Sequence, residues 1–463
     1  MISAIALDLG STSIKAGWLK RDGALSDIVS VPAPEITVNG GSYESDALAY
    51  AKTAEQVLAK CLSKTGGLPP LGLCSQRSSF LIWEKAGGQP ITPLISWQDT
   101  RGAASCEALR NAESMIRDLS GLRLTPYYLA PKLRILLQEH PQWRERLERG
   151  ELLVGTLDTF LIWRWTDGKQ YVTDASMAAR TLLMDIRQQQ WSPELCKIFG
   201  IPLDVLPQIR HSSGMAIRLD NGLTLQASVG DQSAAFFASV GEDGKAALVN
   251  LGTGGFVMRD MAQEQSGLVG YLRTLLYQDS AAHAHIALEG TLNSIAAALA
   301  LYPVDECRIE ELAMTNFFCL AEPSGVGAPY FRNDVGIYFS QAVEQLTRRQ
   351  IACLLQEGII FRVARILEEF HCVSALERVY LSGGLSALHC LQQGIAQCVP
   401  LDVYRLQQRD SSLQGAGMLA AGISVASRDA ELVIVAGNVS CLLEKYRQWK
   451  VWFDDLMLTK PVC

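Results

Sequence analysis

The 463-residue sequence lacks the marks of a membrane protein, a secreted protein and a nucleic-acid binder. Its best apolar run, Ile286 to Leu301, contains Glu289 and is shorter than the about 20 apolar residues of a spanning helix. The first apolar residues meet Asp8 with no basic segment before them, which is typical of a strand and not of a signal peptide. The 48 acidic residues outnumber the 41 basic ones, which disfavours a partner with a phosphate backbone. We therefore expect no membrane and no nucleic acid among its partners.

Closely spaced cysteine pairs are also absent. Twelve cysteines are scattered along the chain, and none forms a Cys-x-x-Cys pair. Together with the missing signal peptide, this spacing predicts reduced thiols and a cytoplasmic location. Apolar residues make up 48% of the chain and charged residues only 19%, which excludes disorder as the main state. The length suffices for two ordinary domains.

Two common nucleotide-binding motifs are missing. No Gly-x-x-x-x-Gly-Lys-Ser/Thr is present, which excludes a P-loop enzyme. No Gly-x-Gly-x-x-Gly follows a strand pattern, which argues against a Rossmann dinucleotide site. The chain instead carries two polar glycine turns, Gly10–Ser13 and Gly252–Gly255, each between two short apolar runs. Backbone N–H groups of such turns bind anions, and glycine lets a ligand approach closely.

The repeated turn suggests one such device in each half of the chain. We place the boundary near residues 230–245, which gives an N-terminal domain 1–240 and a C-terminal domain 241–463. Periodicity predicts an α/β fold with a capped helix from Thr347 to Phe370, because Gln350 completes a capping box. The other predicted helices are 46–63, 233–240, 415–423 and 429–456. The predicted strands are 2–8, 14–19, 71–74, 80–83, 245–251, 256–259 and 378–381.

Three polar features carry candidate chemistry, and each has a simpler structural interpretation. Asp8 stands at a strand end beside the first turn, where a carboxylate suits Mg²⁺; the alternative is an ordinary polar hairpin. Asp231 is either a general base for a hydroxyl or an acid that complements a helix dipole. Gly383-Gly384 lets a flat ring lie on the backbone, or is an ordinary strand-to-helix turn.

Several longer segments, in order and spacing, resemble the FGGY carbohydrate kinases and among them the glycerol kinase branch. The resemblance runs from Asp8 to about Ile423. It is carried mainly by residues 75–83, 96–101, 125–133, 155–163, 172–181, 230–232, 250–256 and 325–330. It implies two actin-like (ribonuclease H-like) domains with a cleft between them, the first binding a polyol or sugar and the second binding ATP. It also implies a homodimer as one possible assembly.

The resemblance implies site residues one by one. Asp231 matches the catalytic base, and Asp8 matches the acid near Mg²⁺. The substrate pocket is implied to hold Arg77, Ser78, Trp97, Tyr127, Asp231, Gln232 and Phe256. The implied ATP-binding residues are Ser11, Thr12, Ser13, Gly252, Thr253, Gly383 and Gly384.

Two positions depart from the glycerol kinase pattern. Ser78 stands where glycerol kinases carry Glu, and a short hydroxyl accepts hydrogen bonds more weakly than a carboxylate. This predicts a larger polyol or a ketose, although Gln76-Arg77-Ser78 is not the Gln-Met-His of the ketose branches. Leu388 replaces an expected adenine-side Asn, which predicts a weaker adenine contact.

Three functional classes follow from these observations. The first is an ATP-dependent kinase of a small polyol or sugar, with its reaction in a crevice between the two turns. The second is a non-catalytic sugar or nucleotide sensor or regulatory protein, which Ser78 and Leu388 favour. The third is an actin-like or chaperone-type ATPase, which does not explain the pocket matches at Arg77, Trp97 and Tyr127.

Overall fold

A computed structural model of the chain describes residues 2–64, 67–261, 268–407, 409–424, 429–435 and 439–459. The chain folds as two compact units. The first unit comprises Met1–Gly241, Arg273–Ile286 and Asp410–Ser427. The second unit comprises Glu242–Leu272, Ala287–Arg409 and Arg428–Cys463. Two segments distant in sequence therefore return to the first unit.

Strands and helices alternate along the chain. Up to residue 241 they are β1 (Ile2–Leu9), β2 (Ser13–Lys20), β3 (Leu25–Pro32), β4 (Thr37–Asn39), β5 (Ser42–Ser45), α1 (Ala47–Leu62), β6 (Leu71–Ser75), β7 (Phe80–Glu84), β8 (Leu94–Ile95), α2 (Ala103–Ala108), α3 (Glu113–Ser120), α4 (Leu129–Glu139), α5 (Pro141–Glu148), β9 (Leu152–Thr156), α6 (Leu157–Trp165), β10 (Val172–Asp174), α7 (Ala175–Ala179), β11 (Met184–Asp185), β12 (Gln190–Trp191), α8 (Pro193–Phe199), β13 (Gln208–Arg210), β14 (Ser213–Arg218), β15 (Thr224–Gly230) and α9 (Asp231–Val240). After residue 241 they are β16 (Ala246–Leu251), β17 (Gly255–Met261), β18 (Leu272–Gln278), β19 (Ala284–Leu292), α10 (Ile295–Leu299), β20 (Cys319–Leu320), β21 (Tyr338–Phe339), α11 (Arg348–Val373), β22 (Arg378–Ser382), α12 (His389–Cys398), β23 (Asp402–Leu406), α13 (Ser411–Ala421), β24 (Ala430–Leu432) and α14 (Val439–Thr459). Short 3₁₀ turns occur at Arg110–Ala112, Leu203–Val205, Val304–Glu306, Ile309–Glu311 and Gly384–Ala387.

The first unit is built on a six-stranded sheet in the order β14-β15-β6-β1-β2-β3. Strands β15, β6 and β1 run parallel, with Val229, Cys74 and Asp8 side by side. Their apolar runs are buried on both faces, as expected for parallel strands. Because parallel strands share one carboxyl edge, the turn at Gly10 and the residues Arg77 and Asp231 emerge next to one another.

Helix α13 packs against this sheet at unusually short distance. A Cβ added to Gly72 on β6 would lie 2.0 Å from the carbonyl oxygen of Ala416, and one added to Gly415 would lie 1.9 Å from that of Ala234. Only glycine at these two positions allows so close an approach. The helix spans Ser411–Ala421, whereas the sequence pattern predicted 415–423.

The second unit has a seven-stranded sheet in the order β18-β19-β17-β16-β22-β23-β24. Strands β16, β22 and β23 are parallel, with Asn250 beside Ser382 and Leu381 beside Arg405. Most of β18 and the start of β19 belong to the first unit, since Arg273–Ile286 are assigned there. The turns at Gly252 and Gly383 therefore leave adjacent strand ends, as the corresponding turns do in the first unit.

The predicted capped helix is confirmed as α11, in which Thr347 and Gln350 form a capping box. The apolar residues of α11 pack in the main core of the second unit. The prediction of a helix over 429–456 is wrong at its start, since Ala430–Leu432 pair with β23 and α14 begins at Val439. Residues 436–438 lie outside the described residues. No helix in the described part of the chain has the length and apolarity needed to cross a bilayer.

Candidate active site

Two contacts at Gly10 fix the shape of the first glycine turn. A Cβ on Gly10 would lie 2.7 Å from the carbonyl oxygen of Ser13, so the turn requires glycine there. The Tyr50 hydroxyl donates to the Gly10 carbonyl at 2.7 Å. Ser11 and Ser13 are half-buried and Thr12 is exposed. The turn is thus fixed in shape while its hydroxyls stay accessible to a ligand.

Asp8 is a buried carboxylate, and one of its two oxygens has no hydrogen-bond partner among the described residues. Its Oδ2 accepts a hydrogen bond from Ser412 Oγ at 2.6 Å, whereas Oδ1 is buried without a hydrogen-bond partner among the described residues. Burial raises the pKa of Asp8 to about 6, and the negative charge of Asp231 adds to this rise against the lowering effect of Ser412. Such an orphaned oxygen is a place for a cation or a donor to bind.

The residues around Asp8 fit Mg²⁺. The described residues contain no group of three or more His, Cys, Asp or Glu side chains suited to hold a metal ion. Mg²⁺ does not need such a group, because it keeps several waters and binds through one or two carboxylates together with phosphates. The single free oxygen of Asp8 beside an anion-binding turn meets that requirement.

Asp231 is the first residue of α9, directly after β15. Arg77 Nε lies 3.6 Å from its Oδ1, and the backbone N–H of Gln232 donates to the same oxygen at 2.7 Å. Burial raises the pKa of Asp231, although the charge of Arg77 opposes the rise. The side chain is still 33% exposed, so a solute can reach it. Arg77 also hydrogen-bonds the Gln232 side chain, which joins the three residues in one cluster.

A buried network supports the chain just before Asp231. The N–H of Gly230 donates to Ser176 Oγ at 2.8 Å, and Ser176 Oγ donates to Asp174 Oδ1 at 3.1 Å. Ser212 Oγ donates to Asp174 Oδ2 at 2.6 Å. Burial raises the pKa of Asp174 to about 7. The network fixes the strand end from which Asp231 projects.

Two of the three aromatic residues predicted for the pocket, Trp97 and Tyr127, are on the surface of the first unit. Trp97 is 41% exposed and Tyr127 is 47% exposed, which is unusual for large aromatic side chains. The Trp97 loop is anchored by the buried Lys132, whose Nζ donates to the Ser96 carbonyl at 2.8 Å and the Trp97 carbonyl at 3.4 Å. Burial lowers the pKa of Lys132 to about 7. These accessible faces can stack on a ligand.

Ser78 is buried with its φ at +65°, and its Oγ donates to the Arg180 carbonyl at 2.9 Å. The left-handed backbone is uncommon for a residue other than glycine. The hydroxyl hydrogen is therefore used within the protein. A ligand would meet only the remaining lone pairs of the Ser78 oxygen.

The second unit holds the remaining predicted residues. In its first turn the Gly252 N–H donates to the Gly254 carbonyl at 2.9 Å, and Thr253 is exposed. Phe256 is half-buried on β17 opposite Asn250. The turn resembles its counterpart in the first unit but carries no carboxylate.

The second turn of this unit also requires glycine at one position. Gly383 has φ +86°, and a Cβ there would lie 2.4 Å from the Leu251 carbonyl oxygen. A Cβ on Gly384 would meet no atom within 4 Å, so an open surface lies beside this turn. Ser382 Oγ is buried without a hydrogen-bond partner among the described residues. Leu388 packs against the core instead of reaching outward.

Each predicted site residue lies in one of the two units. The first unit contains Asp8, Ser11, Thr12, Ser13, Arg77, Ser78, Trp97, Tyr127, Asp231 and Gln232, and the second contains Gly252, Thr253, Phe256, Gly383 and Gly384. Sequence reasoning missed Ser412, Ser176 and Lys132 as supporting residues. Ser412 could not have been found, because it is 404 residues away from Asp8 in the chain.

Comparisons with known proteins identify the family of the chain. The model of the FGGY family of carbohydrate kinases, N-terminal domain, matches residues 3–250, and the C-terminal domain model matches residues 247–423. Glycerol kinase of Shewanella amazonensis is 30% identical and covers 91% of this chain and 90% of its own length. Glycerol kinase of Rhodopirellula baltica is 31% identical and covers 90% and 82%, respectively.

Solved structures show the same fold at lower identity. Plasmodium falciparum glycerol kinase with ADP superposes with a TM-score of 0.87 at 21% identity, covering 99% of each chain. Xylulose kinase from Rhodospirillum rubrum superposes with a TM-score of 0.83 at 17% identity, covering 98% of each chain. The predicted family and fold class are confirmed. The chain therefore belongs to the FGGY family of carbohydrate kinases, has the family's two-domain actin-like (ribonuclease H-like) α/β fold, and is a kinase of a sugar or a polyol.

Proposed function

We propose that this chain transfers the γ-phosphoryl group of ATP to a hydroxyl of a small polyol or ketose, with Asp231 as the general base. The observation that supports this most is the meeting of Asp8, Arg77 and Asp231 at the carboxyl ends of three adjacent parallel strands. Phosphoryl transfer asks a protein mainly for positioning, charge stabilisation and one oriented base. This cluster offers all three within the first unit.

Asp231 has properties that suit a general base. Burial raises its pKa, and a base with a raised pKa accepts a proton more readily once it is ionised. In the proposed reaction Asp231 accepts the proton of the substrate hydroxyl while that oxygen bonds to the γ-phosphorus. The bond from the γ-phosphorus to its bridging oxygen breaks, and ADP leaves. Arg77 and Gln232, held against each other, orient the hydroxyl.

Each unit contributes one part of the proposed reaction. The first unit binds the substrate, with the exposed rings of Trp97 and Tyr127 available for stacking. The second unit binds the nucleotide, with the Gly252 turn on phosphate and the Gly383-Gly384 turn beside the adenosine. Asp8 would hold Mg²⁺, which supplies neutralisation of charge on the phosphates. In this scheme the residue ranges 1–240 and 241–463 have separate binding roles.

The structure of Ser78 bears on the substrate. The short, buried Ser78 takes less room than the Glu of the glycerol kinases would and adds no carboxylate beside Arg77, where Asp231 already lies 3.6 Å away. We propose that a polyol longer than glycerol, or a pentulose, occupies this space. In this proposal the protein binds several hydroxyls along the length of the acceptor. It does not bind one end of the acceptor through a single protein carboxylate.

The test is a screen for ADP release with glycerol, erythritol, ribitol, ribulose, xylulose and sedoheptulose. We expect turnover with one of these substrates, and a loss of about 10²- to 10⁴-fold in kcat for Asp231→Asn. Asp167→Asn, at a highly exposed acid in the same unit, is the matched control and should keep wild-type activity. A kcat of Asp231→Asn within twofold of wild type would refute the assigned base.

A non-catalytic sensor is the second candidate, because Leu388 is partly buried against the core and Ser78 Oγ is bonded to the backbone. Calorimetric binding of a sugar or of ATP, without ADP release for any acceptor of the panel, would favour the sensor. The retained cluster of Asp8, Arg77 and Asp231 supports the kinase, since binding alone needs no base.

A further inference from the structure

A series of four hydrogen bonds inside the first unit connects the Trp97 loop to the Gly10 turn. The Trp97 N–H donates to Ser79 Oγ at 3.0 Å, and Ser79 Oγ donates to Gln76 Oε1 at 2.9 Å. Gln76 Nε2 donates to the Tyr50 hydroxyl at 3.5 Å, the longest of the four, and that hydroxyl donates to the Gly10 carbonyl at 2.7 Å. The three linking side chains, Tyr50, Gln76 and Ser79, are 1%, 4% and 0% exposed. None of them has a role in the reaction proposed above.

The two ends of this series fix the direction of every bond in it. The backbone N–H of Trp97 only donates, and the backbone carbonyl of Gly10 only accepts. Each side chain between them must therefore accept on one side and donate on the other. The hydroxyls of Ser and Tyr and the amide of Gln can do both, whereas an ionised carboxylate only accepts. Hydrogen bonding, and not only shape, therefore favours an amide over an acid at position 76.

The bond between Ser79 and Gln76 also closes the turn that presents Arg77. Residues 76–79, the Arg77 turn, connect β6 to β7. Within this turn Ser78 has its φ at +65°, a conformation that a residue other than glycine keeps only where its surroundings hold it. Arg77 extends from the turn to within 3.6 Å of Asp231. A displacement of the turn would therefore move the guanidinium relative to that carboxylate.

We propose that Gln76 and Ser79 are positioning residues, which hold the Arg77 turn and the Trp97 loop in the arrangement that orients the acceptor. Both side chains are buried, so they act through Arg77 and Trp97 and not on the acceptor itself. This inference rests on the proposed function, in which Arg77 and Trp97 contact the acceptor. A misplacement of about 1 Å in such groups lowers a rate by about 100-fold. The loss of one buried hydroxyl should therefore be visible in the kinetics of the acceptor.

The kinetic test uses the full-length protein and an acceptor that turns over in the screen. Ser79→Ala removes both bonds of Ser79 and leaves the bond between Tyr50 and Gly10 in place. We expect kcat/KM for the acceptor to fall about 10- to 100-fold, while KM for ATP stays within about twofold of wild type.

Thr166→Val is the matched control for Ser79→Ala. The hydroxyl of Thr166 is also buried, and it also accepts one backbone N–H and donates to a carbonyl, but it lies at the C-terminal end of α6. Denaturant unfolding checks that the two variants lose similar stability, so that a kinetic difference reports position and not loss of fold. Equal values of kcat/KM for the acceptor in the two variants would overturn the proposal.

Hydrogen exchange tests the same series of bonds without turnover. Gln76→Met keeps the length of the side chain and does not alter Ser79 or Trp97, but it removes the acceptor of the Ser79 hydroxyl. We expect the Trp97 amide to exchange about fivefold faster than in wild type, as measured by mass spectrometry of overlapping peptides. Thr166→Val should leave this exchange unchanged.

The two measurements separate the inference from the proposed function. An unchanged exchange rate at Trp97 in Gln76→Met would refute the positioning role, whether or not the wild type turns over an acceptor. Faster exchange at Trp97 in a protein that turns over no acceptor would refute the proposed kinase and would support the positioning of the Trp97 loop by Gln76 and Ser79.

Discussion

The turn after β1 in the first unit and the turn after β16 in the second unit share a backbone plan but differ in charge. Asp8-Leu9-Gly10 opens the first turn, and Asn250-Leu251-Gly252 opens the second. Each follows a strand with a parallel neighbour, and each is followed by an antiparallel return strand. One carboxylate in the first turn is thus replaced by one amide in the second.

The surroundings of the two turns show the consequence of this difference in charge. Among the described residues, a buried oxygen of the Asp8 carboxylate before the first turn and the buried Ser382 Oγ beside the second turn have no hydrogen-bond partner. A carboxylate binds a cation, whereas a neutral turn with free N–H groups binds an anion without repelling it. In the proposed function, the same backbone turn would serve the metal in the first unit and the phosphates in the second, and a single side chain makes the difference.

The largest expected effect comes from making the first turn like the second. Asp8→Asn keeps the shape of the side chain and its contact with Ser412 but removes the charge. We expect kcat for ADP release to fall by about 100-fold or more, because charge neutralisation near the phosphates is lost. Raising the Mg²⁺ concentration should not restore the rate. Activity within threefold of wild type would break the comparison.

The same variant should be more stable at neutral pH. Burial raises the pKa of Asp8 from 3.8 to about 6, so the folded chain holds this proton more tightly than the unfolded chain does. The contribution of Asp8 to stability is full below about pH 4 and is lost as pH rises through 6, by about 3 kcal/mol in all. Asp8→Asn avoids this loss of stability, because the amide does not ionise as the pH rises.

Thermal melts at several pH values check the predicted direction in which stability changes with pH. Asp8→Asn should exceed wild type in Tm at pH 8, and the two should converge towards pH 4. An equal difference in Tm at both pH values would show that the carboxylate is not strained by its burial.

The two adjacent glycines of the second unit give a matched pair. Gly383→Ala places a methyl group against the Leu251 carbonyl at positive φ, which should cost about 1–3 kcal/mol. Gly384→Ala enters open space and should change stability by less than about 0.5 kcal/mol. Denaturant unfolding measures both. A larger loss for Gly384→Ala would contradict the structure of this turn.

The smallest expected effect concerns the support of Asp8 by α13. Ser412→Ala removes the 2.6 Å hydrogen bond to Oδ2, and we expect a loss of about 1–2 kcal/mol at pH 8. Ser411→Ala, one position earlier on the same helix, is the control and should have little effect. If both variants unfold at the same denaturant concentration as wild type, Ser412 does not support the first turn.

The local features of the fold were predictable from short stretches of sequence. The two hairpins, the capping box at Thr347 and the helix after Gly230 depend on neighbouring residues, and the sequence pattern identified each of them. The limits of α13 and the strand at Ala430–Leu432 were missed. Their form depends on packing against β6 and pairing with β23, which no nearby residue signals.

By itself the sequence determined which residues can do chemistry, namely one acid at a strand end, another at a helix start and glycines at three turns. Only the tertiary structure decided how buried these groups are and which neighbours surround them. It buried Asp8 beside Asp231, brought Ser412 to it across 404 positions, and left Thr253 and Trp97 accessible. The physical reason is that pKa and exposure depend on every neighbour in space, whereas turns and caps depend only on neighbours along the chain.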